Sequence, residues 1–226
     1  VLRGESFLDS EKAEMRREGI HTLRREAGFD PKTRTAIRGL LHDPSNRVRE
    51  QAAQVLMNLK DKESAPEMKA LLADPDAGTR RRAVQALGAL DARDAAREIG
   101  QNLISDADDR VRLAAADALG RLKAQEAEGF LTEALKDRSN MVRGEAIASL
   151  GEIGATAAAP QLRAIYDQDP GAHRIRLAVA LKSLGDDAPL QKEIARLGEV
   201  LKSETDERVR RQAQQELAVL TRPSPQ

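Results

Sequence analysis

The stretch RVRLAAADALG, residues 110–120, is the phrase on which the rest of the chain is built. It returns as RVREQAAQVL at 47–56, TRRRAVQALG at 79–88, MVRGEAIASLG at 141–151 and RVRRQAQQEL at 208–217. The residue before the arginine marks the register: Val48, Thr79, Val111, Val142, Ile175 and Val209, with Met15 one step earlier. Successive markers lie 31 to 34 residues apart. Self-similarity at such a period is the signature of small units stacked in series, each packing on its neighbours.

Within the quoted stretch Val111, Ala115, Ala118, Leu119 and Leu122 fall at i, i+4, i+7, i+8 and i+11, one apolar face of a helix. A turn precedes each copy, at Asp43-Pro44, Asp74-Pro75, Asp106-Ala107, Asp137-Arg138 and Asp169-Pro170. Asp is a strong N-cap and Pro is tolerated at a first helical position, so each phrase is predicted to be a second helix opened by its turn acid. A first helix is predicted before each turn, at Lys32–Leu41, Ala65–Leu72, Arg93–Ile104, Ala127–Leu135, Ala158–Tyr166 and Pro189–Leu201. No window alternates as a strand does.

This divides residues 1–220 into one array: a half-repeat at 5–27, then repeats at about 31–60, 64–91, 93–123, 126–154, 157–185 and 187–220, with 221–226 a flexible tail. The recurring Gly88, Gly120, Gly151 and Gly185 are expected to mark close helix approach or helix termination. Ala52, Ala83, Ala115, Ala146 and Ala213 let helices come near in the same way.

The chain has 226 residues, of which 40% are hydrophobic and 33% charged. Lys+Arg and Asp+Glu both number 37, and this balance argues against a strongly nucleic-acid-binding or membrane-surface protein. Zero cysteines exclude disulfides and thiol chemistry. No stretch approaches the roughly 20 apolar residues of a membrane span. The chain opens on Val1, the expectation for a trimmed or mature fragment, which leaves the compartment open between the cytoplasm, slightly favoured, and export.

The phrase D-x(4)-V-R-x-x-A-A-x-A-L-G, as Asp106 to Gly120, resembles the short bacterial HEAT repeats of the phycobilisome-lyase-like type, over about residues 5–220. The resemblance implies an all-α, right-handed α-solenoid of antiparallel helix pairs. It also implies a structural ladder of turn acid and second-helix arginine: Asp43 with Arg49, Asp74 with Arg80, Asp106 with Arg112 and Asp137 with Arg143, the bonds running within or between repeats. In the fifth unit Asp169 stands one residue too far from Ile175-Arg176, so the ladder departs there.

Second helices of a solenoid usually line its concave, binding side. The residues expected on that face, and so to bind a partner, are Arg47, Glu50, Gln51, Gln54, Arg81, Arg82, Gln85, Arg110, Leu113, Asp117, Arg174 and Leu177, the two leucines serving as apolar footholds. His21, His42 and His173 lie in different repeats, and the paired His-Glu dipeptides of HEAT-type deoxyhypusine hydroxylases are absent, so neither a metal nor another cofactor is expected. There is no nucleophile elbow and no Walker loop. The expected function is a non-catalytic scaffold for a protein or peptide. The alternatives are a bilin-lyase-like enzyme or accessory protein, or a weak binder of nucleic-acid backbone, the last disfavoured by the charge balance.

Overall fold

Each copy of the quoted stretch is helical in the computed structural model, which describes residues 7–8, 10–26, 30–169, 171 and 173–221, and the side chains of these except 24–26. The expected tail beyond 221, and residues 5, 6, 9 and 27 of the expected half-repeat, lie outside the described residues.

The second helices are α1 (Ala13–Glu26), α3 (Asn46–Asn58), α5 (Ala77–Ala89), α7 (Asp109–Arg121), α9 (Asn140–Ile153), α11 (Arg174–Ser183) and α13 (Glu207–Leu220). The first helices alternate with them as α2 (Pro31–Gly39), α4 (Ala65–Ala70), α6 (Ala96–Ser105), α8 (Glu128–Ala134), α10 (Ala159–Gln168) and α12 (Ala188–Ser203). No strand occurs among the described residues. The fold is all-α, of the α-solenoid class built from helix pairs. The chain divides into two compact units, residues 1–130 and 131–226.

In the first unit α1, α3, α5 and α7 lie side by side in that order, with α2 packed on α3, α4 on α5 and α6 on α7. Val111, Ala115, Leu119 and Leu122 are fully buried, as the 3.6-residue period requires. Ile99 and Leu103 of α6 are fully buried as well, and α6 packs on α7. Burying a side chain of this size contributes roughly 2–3 kcal/mol. Thr79, the polar residue at a Val position, is also fully buried, and its hydroxyl donates to Asp76 Oδ1 at 3.1 Å.

Two of the recurring glycines mark the close approach of consecutive second helices. A Cβ on Gly88 would stand 3.0 Å from the Ala118 methyl in the first unit, and one on Gly151 would stand 3.0 Å from Ala180 Cα in the second. A larger residue at either point would push the helices apart.

The turn acids do not cap the helices that follow them. The N-cap positions fall two residues later, at Ser45, Asp76, Asp108 and Ser139. Asp43, Asp74, Asp106 and Asp137 instead accept the backbone N–H of those same residues, at 2.7–3.0 Å. This is an Asx turn, which frees the carboxylate's other lone pairs for arginine.

The second helices share a C-terminal device that residue type advertises only at its two glycines, of which Gly185 was expected to end a helix. Lys60, Asp91 and Lys123 follow the ends of α3, α5 and α7 with φ of 52°, 57° and 50°, and Gly154 and Gly185 hold the corresponding places after α9 and α11 with φ of 72° and 93°. The next N–H in each case bonds back into the helix: Asp61 to Leu56, Ala92 to Leu87, Ala124 to Leu119, Ala155 to Leu150 and Asp186 to Leu181, at 2.8–3.2 Å. These are Schellman ends, in which a left-handed residue lets the chain double back onto the last turn.

In the second unit α9 packs on α11, α10 on α11, α11 on α12 and α12 on α13. Here the sequence register needs correction. The pair at the head of α11 is His173-Arg174, two residues before the expected Ile175-Arg176. Arg174 makes the bonds that ladder arginines make elsewhere, Ala180 faces Gly151 as Ala118 faces Gly88, and Arg176 is exposed.

Candidate interaction surface

The ladder arginines run between repeats through their side chains and within repeats to the backbone. Arg16 donates to both carboxylate oxygens of Asp43, its Nη2 at 2.7 Å. Arg49 holds Asp74 at 2.7 and 2.8 Å, and Arg80 holds Asp106 at the same distances. The remaining nitrogen of each turns inward to its own repeat: Arg49 Nη1 donates to the Asp43 carbonyl at 2.8 Å and Arg80 Nη1 to the Asp74 carbonyl at 2.8 Å. Arg112 and Arg143 make this backbone half as well, to the carbonyls of Asp106 at 2.9 Å and Asp137 at 2.6 Å. Burial by itself would raise the carboxyls of Asp43 and Asp106. The guanidinium facing each, with one backbone N–H, outweighs it and holds both below the usual Asp value.

In the second unit Glu193 of α12 takes the acid's part. It is fully buried and accepts from Arg174 at 2.7 and 3.0 Å, from the Tyr166 hydroxyl at 2.7 Å and from Arg196 at 2.7 Å. The Arg174 guanidinium also lies over the Tyr166 ring, 4.4 Å from its centroid. Burial and the Glu193 contact push the Tyr166 hydroxyl up to about 12. Two residues expected on the binding face are spent in this way. Arg174 is tied into the network and Leu177, in the place of Ala115 and Ala146, is fully buried. Counting from Ile175-Arg176, which imitates Val-Arg, turns both outward.

The rest of the expected face divides by position. Arg47, Glu50, Gln51 and Gln54 on α3 and Arg82 on α5 come together with Arg17 and His21 of α1 around a depression of about 450 Å³. Arg82 and Gln85 of α5 and Asp117 of α7 line a second one of about 330 Å³, with Met57, Gly88, Ala89, Ala118 and Arg121. Arg82 borders both. Arg81 lies beside them, 3.9 Å from Glu50, while Leu113 is half-buried and Arg110 exposed on α7 outside both depressions. Arg17, His21, Met57 and Arg121 were missed by sequence reading. Arg17 falls at the position after the ladder arginine Arg16, as Glu50 and Arg81 do in their repeats, which is the signal that could have found it.

The first depression is internally braced. Arg17 Nε donates to Gln51 Oε1 at 3.0 Å, and Gln51 Nε2 returns a bond to the Arg17 carbonyl at 3.2 Å. Arg82 donates to Gln85 at 2.9 Å and stands 3.6 Å from Glu50. The Nε–H groups of Arg81 and Arg82 are buried without an acceptor. Elsewhere, no group of three or more His, Asp or Glu among the described residues could hold a metal ion, and no described helix is long and apolar enough to cross a membrane.

A family model of HEAT repeats matches residues 5–88 and 96–182. The chain belongs to the HEAT-repeat family. No curated protein matches it. Among solved structures it is similar to the complex of CpcE and CpcF of phycocyanin lyase from Nostoc sp. PCC7120, at 23% identity over 86% of this chain and 79% of that one, with a TM-score of 0.64. It is similar to Escherichia coli YibA at 19% identity over 95% and 80% of the two chains, with a TM-score of 0.67. A designed armadillo repeat protein in complex with the peptide (KR)4 matches at 18% identity over 96% and 98%, with a TM-score of 0.51. These likenesses establish the repeat fold; they carry no activity to this HEAT-repeat chain.

Proposed function

We propose that this HEAT-repeat protein is a non-catalytic scaffold that binds a protein or peptide on the second-helix face of its first unit. One observation carries the reading. Four consecutive second helices, α1, α3, α5 and α7, contribute polar side chains to two adjoining depressions that share Arg82. A stacked array presents such a face as one continuous strip, suited to many modest contacts with a few anchors. The lining side chains are mostly charged and amide groups spread along four helices, a pattern suited to contact with a partner.

The test is charge reversal of Arg47 and Arg82 together, compared with reversal of Arg97 on first helix α6. Partner capture by the folded full chain should be lost in the first variant and kept in the second. Equal capture by both would place the binding surface elsewhere.

A further inference from the structure

Charge balance on the first depression identifies the chemistry of what it takes. The whole chain is neutral, with 37 basic and 37 acidic residues. Around this one hollow, Arg17, Arg47 and Arg82 meet a single carboxylate, Glu50, and Arg81 stands close to that same carboxylate. The bonding inside the hollow does not neutralise the surplus. Arg17 is held by an amide, which carries no charge, and no acceptor reaches the Arg47 guanidinium among the described residues. Arg82 divides itself between an amide and Glu50, its Nε–H buried without an acceptor. Like charges gathered at one place repel, and an arriving carboxylate relieves that repulsion while making charge-assisted hydrogen bonds.

The second depression differs in kind. Its one acid, Asp117, is already paired with Arg121 at 2.9 Å, and half-buried Met57 and exposed Ala89 stand on its wall. Methionine adapts its shape to an apolar guest.

We infer that the partner segment is an acidic peptide with one aliphatic anchor: carboxylates at the Arg17–Arg47–Arg82 hollow, the anchor against Met57 and Ala89 in the second hollow. This rests on the second-helix face being the binding surface and adds what it recognises. Stacked helices lie about 8–10 Å apart, and an extended chain advances about 3.3 Å per residue. A segment crossing the helices therefore presents its acids roughly three residues apart. A nucleic-acid strand fits less well. Only 2% of residues are aromatic, which leaves few rings for bases to stack on.

The test is selection of a random-peptide display library on the full chain, followed by titration of the enriched peptides and of a poly-dT oligonucleotide. Enriched sequences should carry two or more Asp or Glu and one Leu, Ile or Met. Their affinity should fall at least ten-fold on Arg47→Glu and several-fold between 50 and 300 mM salt, because exposed charges are screened. Ala89→Phe, which fills the second hollow from an exposed position, should weaken anchored peptides and leave anchor-free acidic ones unchanged. Enriched peptides that are neutral or basic, yet sensitive to Arg47→Glu, would overturn the acidic assignment and keep the surface. Peptides insensitive to both variants would overturn the surface as well, as would an absence of enrichment. Tighter binding of poly-dT than of any peptide would overturn the inference in favour of nucleic acid.

Discussion

Arg80 leaves α5 and grips both oxygens of Asp106, at 2.7 and 2.8 Å, while its third nitrogen donates to the backbone of its own turn. One guanidinium thus ties the repeat that carries it to the next. The Asp106 side chain is only 3% exposed and Arg80's 17%, so the pair sits largely out of water. Removing one partner strands the other. Arg80→Met should cost about 3 kcal/mol, the range for a broken buried pair. Urea unfolding measures it, and a loss under 1 kcal/mol would show that the Asx turn alone suffices.

The same geometry sets an acid dependence. The Asp43 and Asp106 carboxyls are held below their ordinary value, as is Glu193. Their contribution is therefore complete above the unfolded-state values of about 4 and is lost as pH falls through the lower folded values. Stability should be level from pH 7 to 5 as far as these groups are concerned and should drop below pH 4. In Arg80→Met that drop should be shallower, since Asp106 then has less to lose. Parallel curves for the two proteins would contradict this.

The corrected register of α11 separates two neighbouring arginines. Arg174→Met should destabilise by about 3 kcal/mol, because fully buried Glu193 loses its double donor and Tyr166 loses the cation over its ring. Arg176→Met, at an exposed position, should stay within about 0.5 kcal/mol. The reverse order in thermal unfolding would restore Ile175-Arg176 as the marker pair.

Overpacking tests the thin interior. Ala115 has no exposed surface, and Ala115→Phe should cost roughly 1–3 kcal/mol as α7 is forced from its neighbours. An unchanged melting curve would put Ala115 in solvent.

The left-handed helix ends offer a gain. A non-glycine residue there costs roughly 1–2 kcal/mol, partly offset by glycine's greater unfolded-state entropy. Lys123→Gly, at φ 50°, should therefore raise stability by about 0.5–1 kcal/mol, and Gly154→Ala, at φ 72°, should lower it by a similar amount. A melting temperature that falls for Lys123→Gly would show that its side chain makes a contact worth more than the strain.

What the residues alone determined is the unit. A period of 31 to 34 residues, with Val, Ala and Leu at helical spacing, admits stacked helix pairs and little else, because each apolar face is too narrow to bury itself. The arginines Arg47 and Arg82 could likewise be placed on one face by counting from the marker. What only the tertiary structure decided is where partners in different repeats meet. Side chains about 25 residues apart, such as Arg49 and Asp74, make their bond only once two helices are laid side by side. The ends at Lys60, Asp91 and Lys123 are not legible in residue type, because a left-handed backbone is ordinarily marked by glycine. In α11 the apolar Ile175 before Arg176 fits the local pattern, and the polar His173 before Arg174 does not. The buried carboxylate of Glu193, 19 residues beyond Arg174, places Arg174 in the ladder instead.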